Sequence, residues 1–106
     1  MSDASPAVAV TIEWLEFHVP PAEQAEFIRQ DRLIWDQFLS QYPGFLAKEI
    51  WLDRQNPHRL IVIVRWNSYQ EWKAIPSSKI EEVTDRFQRT LGKEYPIIAA
   101  HAFQVN

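Results

Sequence analysis

Five apolar residues in an unbroken row, Leu60-Ile61-Val62-Ile63-Val64, constrain the fold of this chain most strongly. A β-branched-rich run with no polar break predicts a strand buried on both faces. Arg65-Trp66 closes it. Ser68 and Glu71 then have capping-box spacing, so a helix starts there and carries Trp72. Four strand-like runs stand against only two substantial helices. Two helices can cover one face of a four-stranded sheet. The other face needs a second covering, and a partner chain is the simplest candidate.

The remaining elements follow from periodicity and breakers. A first strand is expected over residues 8–19. Val10, Ile12 and Trp14 alternate, then Leu15, Phe17 and Val19 take the opposite phase. Either both faces are buried or a bulge near Trp14 shifts the register. Pro20-Pro21 ends the strand. A helix over 21–41 would gather Ala25, Ile28, Trp35, Phe38, Leu39 and Tyr42 on one apolar face. Pro43-Gly44 breaks it. Strands over 45–53 and 59–66 are joined by the loop 54–58. A short helix over 68–75 stops at Pro76. Ser78 and Glu81 again have capping-box spacing, which opens a last helix ending at Leu91, with Gly92 as C-cap. A final strand covers 97–105. The order βαββαβ is an α+β, ferredoxin-like arrangement with a four-stranded antiparallel sheet and both helices on one face. The bare face would expose a contiguous apolar patch, which monomers rarely tolerate. Two such sheets packed face to face would cover each other with two-fold symmetry. A homodimer, a dimeric α/β barrel, is therefore expected.

Composition narrows the function. A chain of 106 residues is one domain, read as residues 8–106 behind a disordered tail over 1–7. Five Trp, six Phe and three Tyr place some aromatic surface at an interface or pocket. A net charge of −3 with scattered Lys and Arg argues against nucleic acid as partner. The absence of Cys excludes disulfides, thiolate metal sites and a Cys nucleophile. No apolar stretch is long enough to span a bilayer, and residues 1–6 lack the pattern of a signal peptide, so the expected compartment is the cytoplasm. Two glycines in all leave no phosphate-cradling loop, and there is no serine-elbow motif.

Several residues could carry chemistry. Asp31 lies near the middle of the first helix's apolar face, flanked by Phe27, Ile28, Ile34, Trp35 and Phe38. A buried carboxylate is costly unless paired or protonated. It is a base with a raised pKa, an anchor for a polar ligand, the structural partner of an Arg or Lys, or a carboxylate tilted to the helix edge. Arg65 could bind a carboxylate or oxyanion, or pair with Glu13, Glu16 or Glu49. His101 could act as acid or base, or simply fill a core or interface. His18, His58 and His101 have no ligand-like spacing with carboxylates, so no metal is expected. Trp35, Trp66 and Trp72 could stack on a flat ligand or be core. Lys73 could reach an anionic ligand or be solvated.

Pro43-Gly44-Phe45-Leu46, a strand, an Asn-Pro loop, a strand ending in Trp66, then Ser68 and Trp72 together resemble the antibiotic biosynthesis monooxygenase (ABM)-like superfamily of dimeric α/β barrels. The resemblance covers the chain from Val10 to Val105 and is nearest to uncharacterised, largely cyanobacterial members. It implies a homodimer with a pocket between helices and sheet for a small aromatic or hydrophobic ligand. Some members are cofactor-independent oxygenases of anthrone- and quinol-like aromatics, so no cofactor is expected. In those oxygenases the pocket is lined by an Asn on the third strand, the Trp ending it, a Tyr on the next helix and an Arg on the last helix. By position these fall at Val62, Trp66, Trp72 and Arg86. Trp66 and Arg86 match, Val62 lacks the amide, and Trp72 lacks the phenol. A heme-degrading branch needs an axial His on the last helix, and residues 77–91 contain none. The resemblance thus implies Trp66, Trp72 and Arg86 around a substrate, and the residues themselves add Trp35 and Arg65 there, with Asp31 or His101 handling protons; the alternative is a non-catalytic dimer that binds a small hydrophobic molecule or is purely structural.

Overall fold

A computed structural model describes residues 9–106. The tail expected over 1–7 and the first residue of the expected first strand lie outside the described residues. The elements are β1 (Thr11–His18), α1 (Pro21–Asp31), a π-helical segment (Arg32–Asp36), α2 (Gln37–Leu39), β2 (Phe45–Leu52), β3 (Arg59–Trp66), α3 (Tyr69–Lys73), α4 (Ser77–Leu91) and β4 (Ile97–Gln104). The strands form one sheet in the order β2-β3-β1-β4, and every neighbouring pair is antiparallel. This is the expected ferredoxin-like arrangement.

The apolar run occupies β3, an inner strand, as its two-sided character requires. Leu60, Val62, Val64 and Trp66 join the core with Val19, Phe27, Ile34, Phe38, Leu39, Ile75, Val83 and Phe87 beneath the helices. Ile61 and Ile63 point the other way, yet they too are buried. Their cross-strand partners are Glu16 and Trp14. Arg59 roofs this region. It donates to Glu16 at 2.9 Å and Asp53 at 3.3 Å, and its guanidinium lies 5.7 Å from the Trp14 ring centroid. Much of the helix-free face is thus self-covered, while Trp51 and Phe103 remain about half exposed, at 48% and 51%.

The β1–β3 register is unbroken, so the phase change in β1 reflects burial on both faces and not a bulge at Trp14. The break instead lies against β4, between Glu16 and Phe17, and a second separates Phe45 from Ala47 against β3. Glu13, Leu15 and Phe17 therefore face the helices, with Ile12, Trp14 and Glu16 opposite.

The first helix departs from its expectation at Arg32–Asp36, where a π-helical turn interrupts the α ladder. A π turn brings side chains five residues apart onto one side, and such insertions favour functional positions. Here it lets Asp31 and Asp36 converge on Lys48. Downstream, the Ser68 cap forms: its Oγ accepts from the Glu71 backbone N–H at 3.1 Å and donates to the Glu71 carboxylate at 2.9 Å. The Ser78–Glu81 cap does not form. α4 begins directly after Pro76, whose extended backbone takes the N-cap position, and Ser78 falls inside the first turn. Gly92 closes α4 in the left-handed region at φ 72°, as expected. Among the described residues, no helix is long and apolar enough to cross a membrane.

Candidate functional site

Between helices and sheet lies a cavity of about 400 Å³, the size of a small-molecule site. Its floor is the helix-facing side of the sheet: Glu13, Leu15 and Phe17 from β1, Lys48 from β2, and Val62, Val64 and Trp66 from β3. Phe27, Asp31, Trp35 and Leu39 form one wall, and Trp72, Ile75, Ile80, Thr84 and Phe87 the other. The exposed residues Glu94, Pro96 and Ile97 lie where it opens. Trp66, fully buried, packs edge-on against Phe45 at 5.9 Å. It lies nearly parallel to Trp72 with ring centroids 6.5 Å apart, an offset-stacked arrangement. The Lys73 ammonium sits 4.2 Å from the Trp72 ring centroid, a cation–π contact.

Inside the opening, charged groups interrupt this apolar lining in two places. In the first, Lys48 donates to the carboxylates of Asp31 and, at 2.7 Å, Asp36. The Lys48 and Asp31 side chains are only 4% and 6% exposed. Desolvation lowers the Lys48 ammonium to about 8, which leaves it charged at neutral pH. Burial raises the Asp36 carboxyl, and the nearby Arg32 pulls it back. Of the readings open for Asp31, the ion pair is present, and the carboxylate is buried and not tilted to the helix edge.

The second is Glu13. Its Oε1 accepts from the Trp66 indole N–H at 3.3 Å. Burial pushes its carboxyl above the ordinary range, while the indole hydrogen bond and the charge of Lys73 act against that. A carboxyl with a raised folded pKa holds its proton more tightly folded than unfolded. It favours the fold below its unfolded value of 4.5, and the advantage is lost as pH rises through the folded value. Glu13→Gln removes the titration. Its stability relative to the wild type should therefore increase from pH 4.5 towards neutrality in urea titrations. A difference that stays flat across that window would contradict this account of Glu13.

Asp31, Trp35, Trp66 and Trp72 are brought together on the cavity, and Val62 lies in its floor. Arg86, Arg65 and His101 are not. Arg86 is exposed on the side of α4 turned away from Ile80, Thr84 and Phe87. Arg65 lies opposite Ile12 and Ala47, on the helix-free face, because strand alternation puts it out of phase with Val64 and Trp66. His101 is exposed on that same face, its ring 5.1 Å from Trp14 and 6.0 Å from Phe103. Sequence reasoning missed Lys48 and the cavity-facing orientation of Glu13. It also missed Tyr95, which lines the cavity but donates its hydroxyl to Glu23 at 2.6 Å. Burial, then that bond, pushes the phenol up to about 12. Among the described residues, no three His, Asp or Glu side chains gather as a metal site would need.

The family model for antibiotic biosynthesis monooxygenases matches residues 12–89, well over half of the chain. The chain belongs to the antibiotic biosynthesis monooxygenase family. Solved structures support the fold of this ABM protein. It is similar to an antibiotic-biosynthesis-monooxygenase-like protein from Bordetella bronchiseptica, with 13% identity, TM-score 0.71, and coverage of 92% of this chain and 98% of that one. It is also similar to a Streptomyces coelicolor monooxygenase solved with nanaomycin D, with 16% identity, TM-score 0.68, and coverage of 96% and 91%. A conserved Methanosarcina mazei protein shares 16% identity, with TM-score 0.66 and coverage of 95% and 97%. No curated protein matches this ABM chain.

Proposed function

We propose that this ABM protein is a cytoplasmic homodimer that binds a small aromatic or quinone-type substrate in the cavity and oxidises it with O2, without a cofactor. The observation that carries the reading is the cavity itself, in which Trp35, Trp66 and Trp72 line a space that Lys48, Asp31 and Glu13 also reach. The ligand held by the Streptomyces coelicolor monooxygenase of the same fold supports a small-molecule occupant. Conversion of an anthrone-like CH2 to C=O balances with O2 alone. The carbon loses two hydrogens and gains one oxygen atom, and the other oxygen leaves as water. The substrate supplies all four electrons, so the aromatic walls need only hold it and a base need only accept its proton. Asp31 is committed to Lys48 and His101 lies outside the cavity. Glu94 lies at the opening, so Glu13 is the carboxylate inside the cavity open to the ligand and takes the proton-accepting role in this reading. Trp51 and Phe103, exposed on the helix-free face, support the two-fold covering by a second copy.

A second reading, a non-catalytic module that binds a small hydrophobic molecule, is favoured by one observation. Val62 and Trp72 line the cavity at the positions where the family resemblance implies an amide and a phenol. Native mass spectrometry of protein purified without added ligand, followed by O2 uptake with anthrone, separates the two. A dimer that accelerates anthrone oxidation above the uncatalysed rate, one water per O2, is expected. A dimer that retains an aromatic molecule but leaves O2 uptake unchanged would replace the enzyme with the binding module. A monomer would overturn the two-fold covering.

A further inference from the structure

The two charged interruptions of the cavity are not independently placed. Lys48 lies opposite Val64 across one strand gap, and Val64 lies opposite Glu13 across the next. A basic and an acidic side chain therefore occupy one row of the sheet with a valine between them, all on the cavity floor. Strands two gaps apart are separated by about 10 Å, which is commensurate with a fused two-ring aromatic and its substituents. Each end also has spare hydrogen-bonding capacity. An ammonium has three N–H donors, and Lys48 uses one on Asp31 and one on Asp36. The Glu13 carboxylate accepts one bond from Trp66, and among the described residues Oε2 takes none.

Building on the aromatic-pocket reading above, we infer that the row Lys48–Val64–Glu13 is a two-ended recognition device for a fused aromatic with oxygen substituents at opposite ends. Lys48 donates to a carbonyl or phenolate oxygen at one end. Glu13 accepts from a hydroxyl at the other. Val64 and Val62 lie under the ring plane, and Trp66 and Trp72 close one side. Asp31 and Asp36 position the ammonium and do not touch the ligand. The class selected is a hydroxylated aryl ketone, hydroxyquinone or bis-phenol, in preference to a hydrocarbon or a singly oxygenated ring. Burying either charged end against a ring that offers it no partner would leave a desolvated group unsatisfied, and that penalty supplies the discrimination.

The test is isothermal titration calorimetry of the full chain with 2,6-dihydroxynaphthalene and with 2-naphthol. The wild type should bind the two-ended probe about tenfold more tightly, the worth of one charge-assisted hydrogen bond. Glu13→Leu should erase the preference. So should the paired change Lys48→Met with Asp31→Asn, which removes the cation without stranding its principal carboxylate. Should that pair fail to fold, Glu13→Leu alone decides, since it removes one end and leaves the ion pairs intact. Equal affinities in the wild type, or a preference that survives Glu13→Leu, would overturn the two-ended device and leave the aromatic pocket standing. Failure of both probes to bind would overturn the pocket reading along with it.

Discussion

Lys48→Met is expected to destabilise the protein by about 3–5 kcal/mol, because it leaves the buried Asp31 carboxylate without its counter-charge. For a domain of this size, each kcal/mol corresponds to a fall in Tm of about 4 °C or more. The cost does not mean that the pair contributes that much. Taking an ammonium and a carboxylate out of water is itself expensive, and their attraction roughly offsets it. Lys48→Met together with Asp31→Asn should accordingly recover most of the loss, and the two changes should be strongly non-additive in a double-mutant cycle. Asp36 is the less buried acceptor and can turn to solvent, so it limits the recovery little. The measurement is a urea titration with unchanged m values. A Lys48→Met loss below about 1 kcal/mol would show that water reaches the triad and screens it.

Trp66→Ala should cost a similar amount, about 3–5 kcal/mol, by a different route. No charge is stranded. A fully buried indole is removed from between Phe45 and Trp72, and the cavity beside it widens. Trp66→Phe should cost less, since it keeps one aromatic ring in place while losing the rest of the indole and the N–H that donates to Glu13. If the cavity takes an aromatic ligand, Trp66→Ala should weaken binding more than Trp66→Phe does. An indole-to-alanine change that leaves the urea midpoint within about 0.5 kcal/mol of the wild type would place Trp66 outside the cooperative core.

Reading residues one element at a time recovered the fold but not the charged parts of the cavity. Leu60–Val64 is apolar on both sides because β3 is an inner strand, and both of its faces are buried within one chain. Asp31 announced itself as a carboxylate in an apolar helix stripe. Its partner could have been found by the same logic. Lys48, Ile50 and Leu52 share a strand phase, and Lys48 is the misfit in it. Two opposite charges, each stranded in an apolar stripe, are the signature of a buried pair. Glu13 was harder to see, because a glutamate two residues from Leu15 looks solvated until the register shows that Leu15 faces the helices. Arg86 illustrates the limit of carrying a residue over by position. α4 turns about 100° per residue, so a one-residue uncertainty in alignment moves a side chain from the cavity to solvent.

The π-helical turn at Arg32–Asp36 makes the chain one residue longer than a regular helix of the same span would need. Length variation in this helix is therefore not neutral in the way loop-length variation is. Losing one residue would restore an uninterrupted α ladder and a more regular backbone, but it would swing the following turn by about 100° and carry one of the two aspartates away from Lys48. A variant of this chain with that residue deleted should keep the βαββαβ frame but lose the lysine clamped by two carboxylates. A single-residue deletion is enough to separate the scaffold from its charge site.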